Sequence, residues 1–206
     1  MSDTEARLDP AVGLLELDSI AAGIVAGDAM AKSSPVSSLY AGTVHPGRYL
    51  VLVGGDPAAV EVALAAAGTV RVVDSLFLAD VHPAVIAAVT TPDVAVSVVD
   101  DALGVVETST SATAIVAADA GVKAADVSLL AVRLADDLGG KAYCLYTGLV
   151  ADVEAAVERA AAGAGAGAGG HLVAGTVIPQ LHQEMWDNLT AELRFNHRLR
   201  QHDGEA

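Results

Sequence analysis

The chain has 206 residues, 53% of them apolar and 3% aromatic, with 11 Lys plus Arg against 26 Asp plus Glu. This length and apolar content suffice for two small domains and exclude a disordered chain. The net charge of −15 argues against nucleic acid and against a basic membrane patch, and the single cysteine, Cys144, excludes a disulfide framework or a thiolate metal cluster within one chain.

In chain order, residues 1–10 carry Asp3, Glu5 and Asp9 without an apolar run, so they read as a flexible tail and not a signal peptide. The apolar run 12–17 predicts a strand. Residues 20–33 place Ile20, Ile24 and Val25 at helical spacing, with Pro35 just past the end. Residues 36–44 and 48–53 read as strands joined through the turn-like tip His45-Pro46-Gly47. Asp56-Pro57 opens a helix, Asp as N-cap and Pro at the first helical position, which ends near Gly68. Residues 70–78 give another strand and 83–89 a short helix. The same β-α-β-β-α-β-α order restarts at Leu103. In that half, 163–170 reads as a flexible Gly/Ala connector, 171–177 as the last strand, and 180–195 as a terminal helix with Trp186, Leu189 and Leu193 about one turn apart. No stretch reads as a membrane span, because the longest uncharged run, 160–183, is broken by glycines and by Pro179. A cytoplasmic location is expected.

The order repeats because the sequence repeats. Residues 12–36 and 103–127 align without a gap at an offset of 91, and 10 of 25 positions are identical, including Gly13/Gly104, Glu16/Glu107, Ile24/Ile115, Asp28/Asp119 and Lys32/Lys123. A second block, 47–61 against 140–154, aligns at an offset of 93 and matches Gly47/Gly140, Leu52/Leu145, Gly55/Gly148 and Glu61/Glu154. An alanine-rich composition raises chance identity but does not align Glu, Asp and Lys. The chain is a tandem duplication, with domains at 11–92 and 101–193 and a C-terminal tail at 194–206. The fold class is α+β, two ferredoxin-like βαββαβ(α) units in unpermuted order.

These blocks resemble the bacterial microcompartment shell domain. The resemblance rests on three parts. They are G-x-x-E followed by D-A-x-x-K at 13–32 and 104–123, the glycine-tipped hairpin with its following strand at 47–61 and 140–154, and the closing V-I-P-x-x-H at 177–182. The first half has Asp80-Val81-His82-Pro83 at the last of these, a poor match. Two such domains in one chain resemble the trimer-forming tandem class of shell protein. That resemblance implies a homotrimeric, pseudohexameric disc that tiles with hexameric and pentameric shell proteins around encapsulated enzymes. It implies further that the hairpin tips line a pore for small metabolites, with no cofactor, no nucleic acid and no membrane.

The pore-lining residues expected from the tips are Val44, His45, Pro46 and Gly47 in the first repeat and Asp136, Asp137, Leu138, Gly139 and Gly140 in the second. A ring of carboxylates disfavours anions, so neutral or cationic metabolites are expected to pass. Two ordinary hairpin turns would use the same residue types. Lys32 and Lys123 each follow Asp28 and Asp119 by four helical positions, which by itself gives surface ion pairs. The resemblance implies that these residues sit at the tile edge and serve lateral assembly. Some members of the class hold an iron–sulfur cluster on tip cysteines. Neither tip here has one, and Cys144 reads as a small apolar residue in a strand, so no metal is expected.

An enzyme is the rival reading, and its motifs are missing. The six histidines show no zinc-ligand spacing, no serine sits in a G-x-S-x-G turn, and Gly54-Gly55-Asp56 lacks the Lys-Ser/Thr of a phosphate loop. The adjacent pairs Asp100-Asp101 and Asp136-Asp137 are poor acid/base partners if they lie on strands, where neighbours face opposite ways. A small-molecule sensor built from the same duplicated modules is the remaining alternative.

Overall fold

The computed structural model describes residues 10–68, 70–90, 101–165 and 170–191. The expected tails, the junction near 93–100, and Leu193 and Phe195 of the expected terminal helix lie outside these residues. The first repeat runs β1 (Ala11–Leu17), α1 (Ile20–Ser33), β2 (Ser38–Val44), β3 (Arg48–Gly55), α2 (Pro57–Ala66), β4 (Val72–Leu78) and α3 (Pro83–Thr90). The second runs β5 (Ala102–Thr108), α4 (Ser111–Val122), β6 (Ser128–Leu134), β7 (Ala142–Gly148), α5 (Val150–Gly165), β8 (Leu172–Pro179) and α6 (Gln183–Ala191).

Each repeat forms an antiparallel four-stranded sheet, in the orders β2-β3-β1-β4 and β6-β7-β5-β8. The matching registers put Glu16 beside Asp74, and Glu107 beside Ala174. Local chemistry starts the helices. The side chains of Ser19, Asp56 and Thr110 accept N–H bonds from Ala22, Ala58 and Thr113, which satisfies donors that the first helical turn leaves without partners.

One glycine shared by the two repeats makes room for a helix in each. A Cβ at Gly13 would lie 2.9 Å from Val60 and Leu64 atoms, and one at Gly104 would lie 2.8 Å from Val153 and Val157 atoms. Unshared glycines record a trade of volume between helix and strand. Tyr49 on β3 fills the space that Gly23 of α1 leaves, with 2.4 Å between its Cδ1 and a notional Cβ. In the second repeat these two positions are Ala142 and Ala114. Gly121 of α4 faces Tyr146, with 2.5 Å to the hydroxyl, where the first repeat pairs Met30 with Val53. Close packing permits such compensated exchanges and resists uncompensated ones.

Two elements differ from the sequence expectation. The Gly/Ala stretch is not a connector over its first part: α5 continues through Gly163 to Gly165, with Ala164 buried and Gly163 against Ala120 and Val116 of α4. Helix–helix packing outweighs the poor helix propensity of glycine there; residues 166–169 lie outside the described part. The last helix starts at Gln183 and not at 180. Gln180 has a positive φ of 52° and donates its N–H to Asp101, and His182 Nδ1 then accepts the Glu184 N–H.

The largest of the apolar clusters among the described residues spans both repeats. Leu14, Leu50, Leu76, Val81 and Val85 of the first pack in one cluster with Ile115, Ala118, Leu129 and Val132 of the second. Helix α4 lies against β1 and β4, and α3 lies against β6.

Candidate functional site

The join between repeats is polar around this core. Glu16 is fully buried; its Oε1 accepts a bond from Arg48 Nη1 at 2.5 Å, and its Oε2 accepts the Ser111 N–H at 2.8 Å. Ser111 is the first residue of α4, so the carboxylate meets the positive end of that helix. Arg48 also donates to the carbonyls of Gly140 at 3.2 Å and Ser109 at 3.5 Å. Asp74 Oδ2 accepts from the hydroxyls of Thr110 at 2.5 Å and Thr113 at 2.8 Å. The aligned glutamate of the second repeat is placed differently: Glu107 is 32% exposed and pairs with Lys141 at 2.6 Å.

The aligned lysines also part company. Lys32 pairs with Asp28 at 2.6 Å in the open, with side chains 73% and 59% exposed. Lys123 pairs with Asp119 at 2.8 Å and also donates to the Asp80 carbonyl, and Asp119, 9% exposed, accepts the His82 N–H at 2.8 Å. Within one chain the second pair therefore ties the repeats together, a use that spacing alone did not reveal.

The two hairpin tips come together in the same chain. His45 Nδ1 lies 3.2 Å from Asp136 Oδ1 and 3.5 Å from Asp137 Oδ1, and all three side chains are well exposed. Asp136 and Asp137 stand on a turn and not a strand, so their carboxylates can reach the same side; Asp137 has a φ of 60°. The rule that adjacent acids face apart does not hold at this tip. Pro46, Gly47 and Gly139 are exposed, while Val44 and Leu138 are half-buried behind them. Gly140 departs from the expected lining role within the chain: it is buried, and a Cβ there would touch the Arg48 guanidinium at 3.0 Å.

Cys144 is fully buried on β7, and its Sγ lies 3.2 Å from the Tyr146 hydroxyl. Burial pushes the thiol up to about 12, against smaller opposing effects of hydrogen bonds. Burial and then the Cys144 charge raise Tyr146 as well, and its hydroxyl donates to the Ala117 carbonyl at 2.8 Å.

This fold defines a class: a tandem α+β protein whose two repeats are joined through buried polar residues and bring their hairpin tips together. Residues 11–89 and 102–181 each match the BMC domain. The chain belongs to this family, the structural shell proteins of bacterial microcompartments, and is not an enzyme. It is 42% identical over 184 residues to the bacterial microcompartment shell protein PduT of Citrobacter freundii, covering 87% of this chain and 97% of that protein. It is similar to the crystal structure of a microcompartment protein from Desulfitobacterium hafniense, with a TM-score of 0.76 and 38% identity, covering 86% of this chain and 98% of the other. A fused permuted hexameric shell protein of the RMM microcompartment shares the fold at a TM-score of 0.53 and 21% identity, over 74% and 79% of the two chains. Among the described residues no helix is long and apolar enough to cross a membrane.

Proposed function

We propose that the chain is the unit of a homotrimeric shell tile whose six domains surround a metabolite pore. The half-used seam carries this reading. Inside one chain, α4 presents Ser111 and Ile115, 0% and 1% exposed, to the Glu16 side of the first repeat. The aligned residues of α1, Ile20 and Ile24, are 42% and 55% exposed. At the other end of the chain the aligned receiving pair, Glu107 and Lys141, faces solvent in part. Complementary surfaces at opposite ends of a chain make a heterologous interface, and copies added head to tail close into a ring when the rotation allows.

In that ring the Ile20 N–H of one copy meets Glu107 of the next, as Ser111 meets Glu16. Asp28 and Lys32 take the parts of Asp119 and Lys123 near Gln180 and His182. The seams stay distinguishable, since the alignment sets Ala174 and Ala22 where the inner seam has Asp74 and Thr113. The outer seam is thus more apolar, which disfavours exchange between the two. Lys123 is 38% exposed even while bound, so both lysines also keep a face toward a neighbouring tile of another shell protein. Around the axis, the carboxylates of Asp136 and Asp137 favour passage of neutral or cationic metabolites over anions.

The test is native mass. Three chains of 20.6 kDa give about 62 kDa. That mass is expected for the unaltered protein, and Ile24→Asp is expected to reduce it to the single chain with helical content retained. Val62→Asp, at an exposed position on α2 outside the inner-seam pattern, is expected to leave the trimer intact. A single-chain mass for the unaltered protein, or a trimer indifferent to Ile24→Asp, overturns the reading.

A further inference from the structure

We propose that His45, Asp136 and Asp137 form a binding site for a divalent transition-metal ion at the paired tips, one per chain. The ligands come from both repeats, 91 residues apart for His45 and Asp136, so no spacing rule in the sequence marks the site. Their ligand atoms all lie within 4.8 Å of one another.

The geometry fits a metal. Bonds of about 2.0–2.1 Å in a tetrahedral site set neighbouring ligand atoms roughly 3.3–3.4 Å apart. The His45 Nδ1 distances of 3.2 and 3.5 Å to the two carboxylate oxygens bracket that edge. The donor set is one imidazole nitrogen and two carboxylate oxygens, which suits Zn²⁺, Co²⁺ or Fe²⁺ and lacks the thiolate that softer ions prefer. Mg²⁺ and Ca²⁺ favour oxygen-only shells.

Charge points the same way. Two carboxylates held this close repel each other, and the nearby cations are committed elsewhere: Arg48 to Glu16 and the Gly140 carbonyl, Lys141 to Glu107. A dication supplies the compensation that these side chains do not. The Asp137 N–H, 3.4 Å from His45 Nδ1, gives up that contact when the nitrogen takes the metal. Three protein ligands leave a position for water or an anionic group of a small molecule. A loaded tip therefore accepts metabolite carboxylates or phosphates that the bare acidic tip repels.

The site stands on one chain's geometry, and the trimer reading adds only that three such sites surround the axis. The experiment is titration of the full-length protein with Co²⁺, read by visible absorption and by competition with Zn²⁺, with native mass recorded on each sample. One ion per chain is expected. His45→Gln and Asp137→Asn are each expected to weaken binding by about tenfold or more at unchanged mass. Glu61→Gln, the control at an exposed carboxylate of α2, is expected to leave binding unchanged. Absence of saturable binding, or binding that survives both tip substitutions, overturns the proposal. A single-chain mass with the site intact would count against the trimer and not against the metal site.

Discussion

The Glu16 carboxylate and the Ser111 N–H meet at 2.8 Å across 95 residues of sequence, at a point where Glu16 has no exposure to solvent. One glutamate therefore neutralises Arg48, completes the first turn of α4 and closes the join between repeats. Its aligned partner Glu107 holds only the first of these roles inside the chain, through Lys141.

Glu16→Gln is expected to lower stability by about 2–4 kcal/mol, because it leaves the half-buried Arg48 without its counter-charge. Glu107→Gln breaks a partly exposed pair and is expected to cost the chain less than about 1 kcal/mol, while weakening the trimer proposed above. Urea unfolding of both variants in the Ile24→Asp background, with native mass in the unaltered background, separates the two effects. Equal losses of chain stability would refute the asymmetry between the repeats.

The aspartate–lysine pairs give a second contrast. Asp119→Ala removes the acceptor for the half-buried His82 N–H and for Lys123, and is expected to cost about 1–3 kcal/mol. Asp28→Ala in the isolated chain is expected to fall within about 0.5 kcal/mol, since that pair is open to solvent. Thermal unfolding of the Ile24→Asp chain carrying each change checks the prediction.

Glycine-to-alanine changes usually stabilise a helix by about 1 kcal/mol. Gly121→Ala and Gly23→Ala are expected to do the opposite, losing roughly 1–3 kcal/mol by overpacking against Tyr146 and Tyr49. Restoring the volume should recover the loss: Gly121→Ala with Tyr146→Val is expected to unfold at higher denaturant than Gly121→Ala alone. Failure of the double change to improve on the single one would show that volume is not the cause.

Cys144 gives the pH dependence. Its folded thiol lies near 12 against an ordinary 9.0, so the unfolded chain releases its proton first as pH rises. The stability due to this group is full below about pH 9 and declines between about 9 and 12, by up to about 1.4 kcal/mol per pH unit. Cys144→Val is expected to flatten that decline in urea midpoints measured at about pH 8 and pH 10.5. Folded protein is also expected not to react with an aromatic disulfide reagent until denaturant is added. Rapid reaction of the folded chain would contradict the burial.

Much of the fold could be read directly from the residues. Two copies of one pattern, with Gly13/Gly104 and Glu16/Glu107 at matching places, determine the order of strands and helices along the chain, and Asp56-Pro57 marks a local helix start. Those features depend on neighbours within a few tens of residues. The length of α5 could not be read this way, because packing on α4 decides whether Gly163 stays helical.

The sequence by itself determined the duplication, the α+β class and the two hairpin tips, since each follows from local pattern and periodicity. Only the tertiary structure decided that Glu16 and Asp119 are buried while Glu107 and Asp28 are open, and that His45 meets Asp136 and Asp137. Matching side chains in the two repeats acquire different environments because the second repeat covers one face of the first, while its own equivalent face stays open within the chain. That asymmetry belongs to contacts some 90 residues apart, which no local pattern encodes.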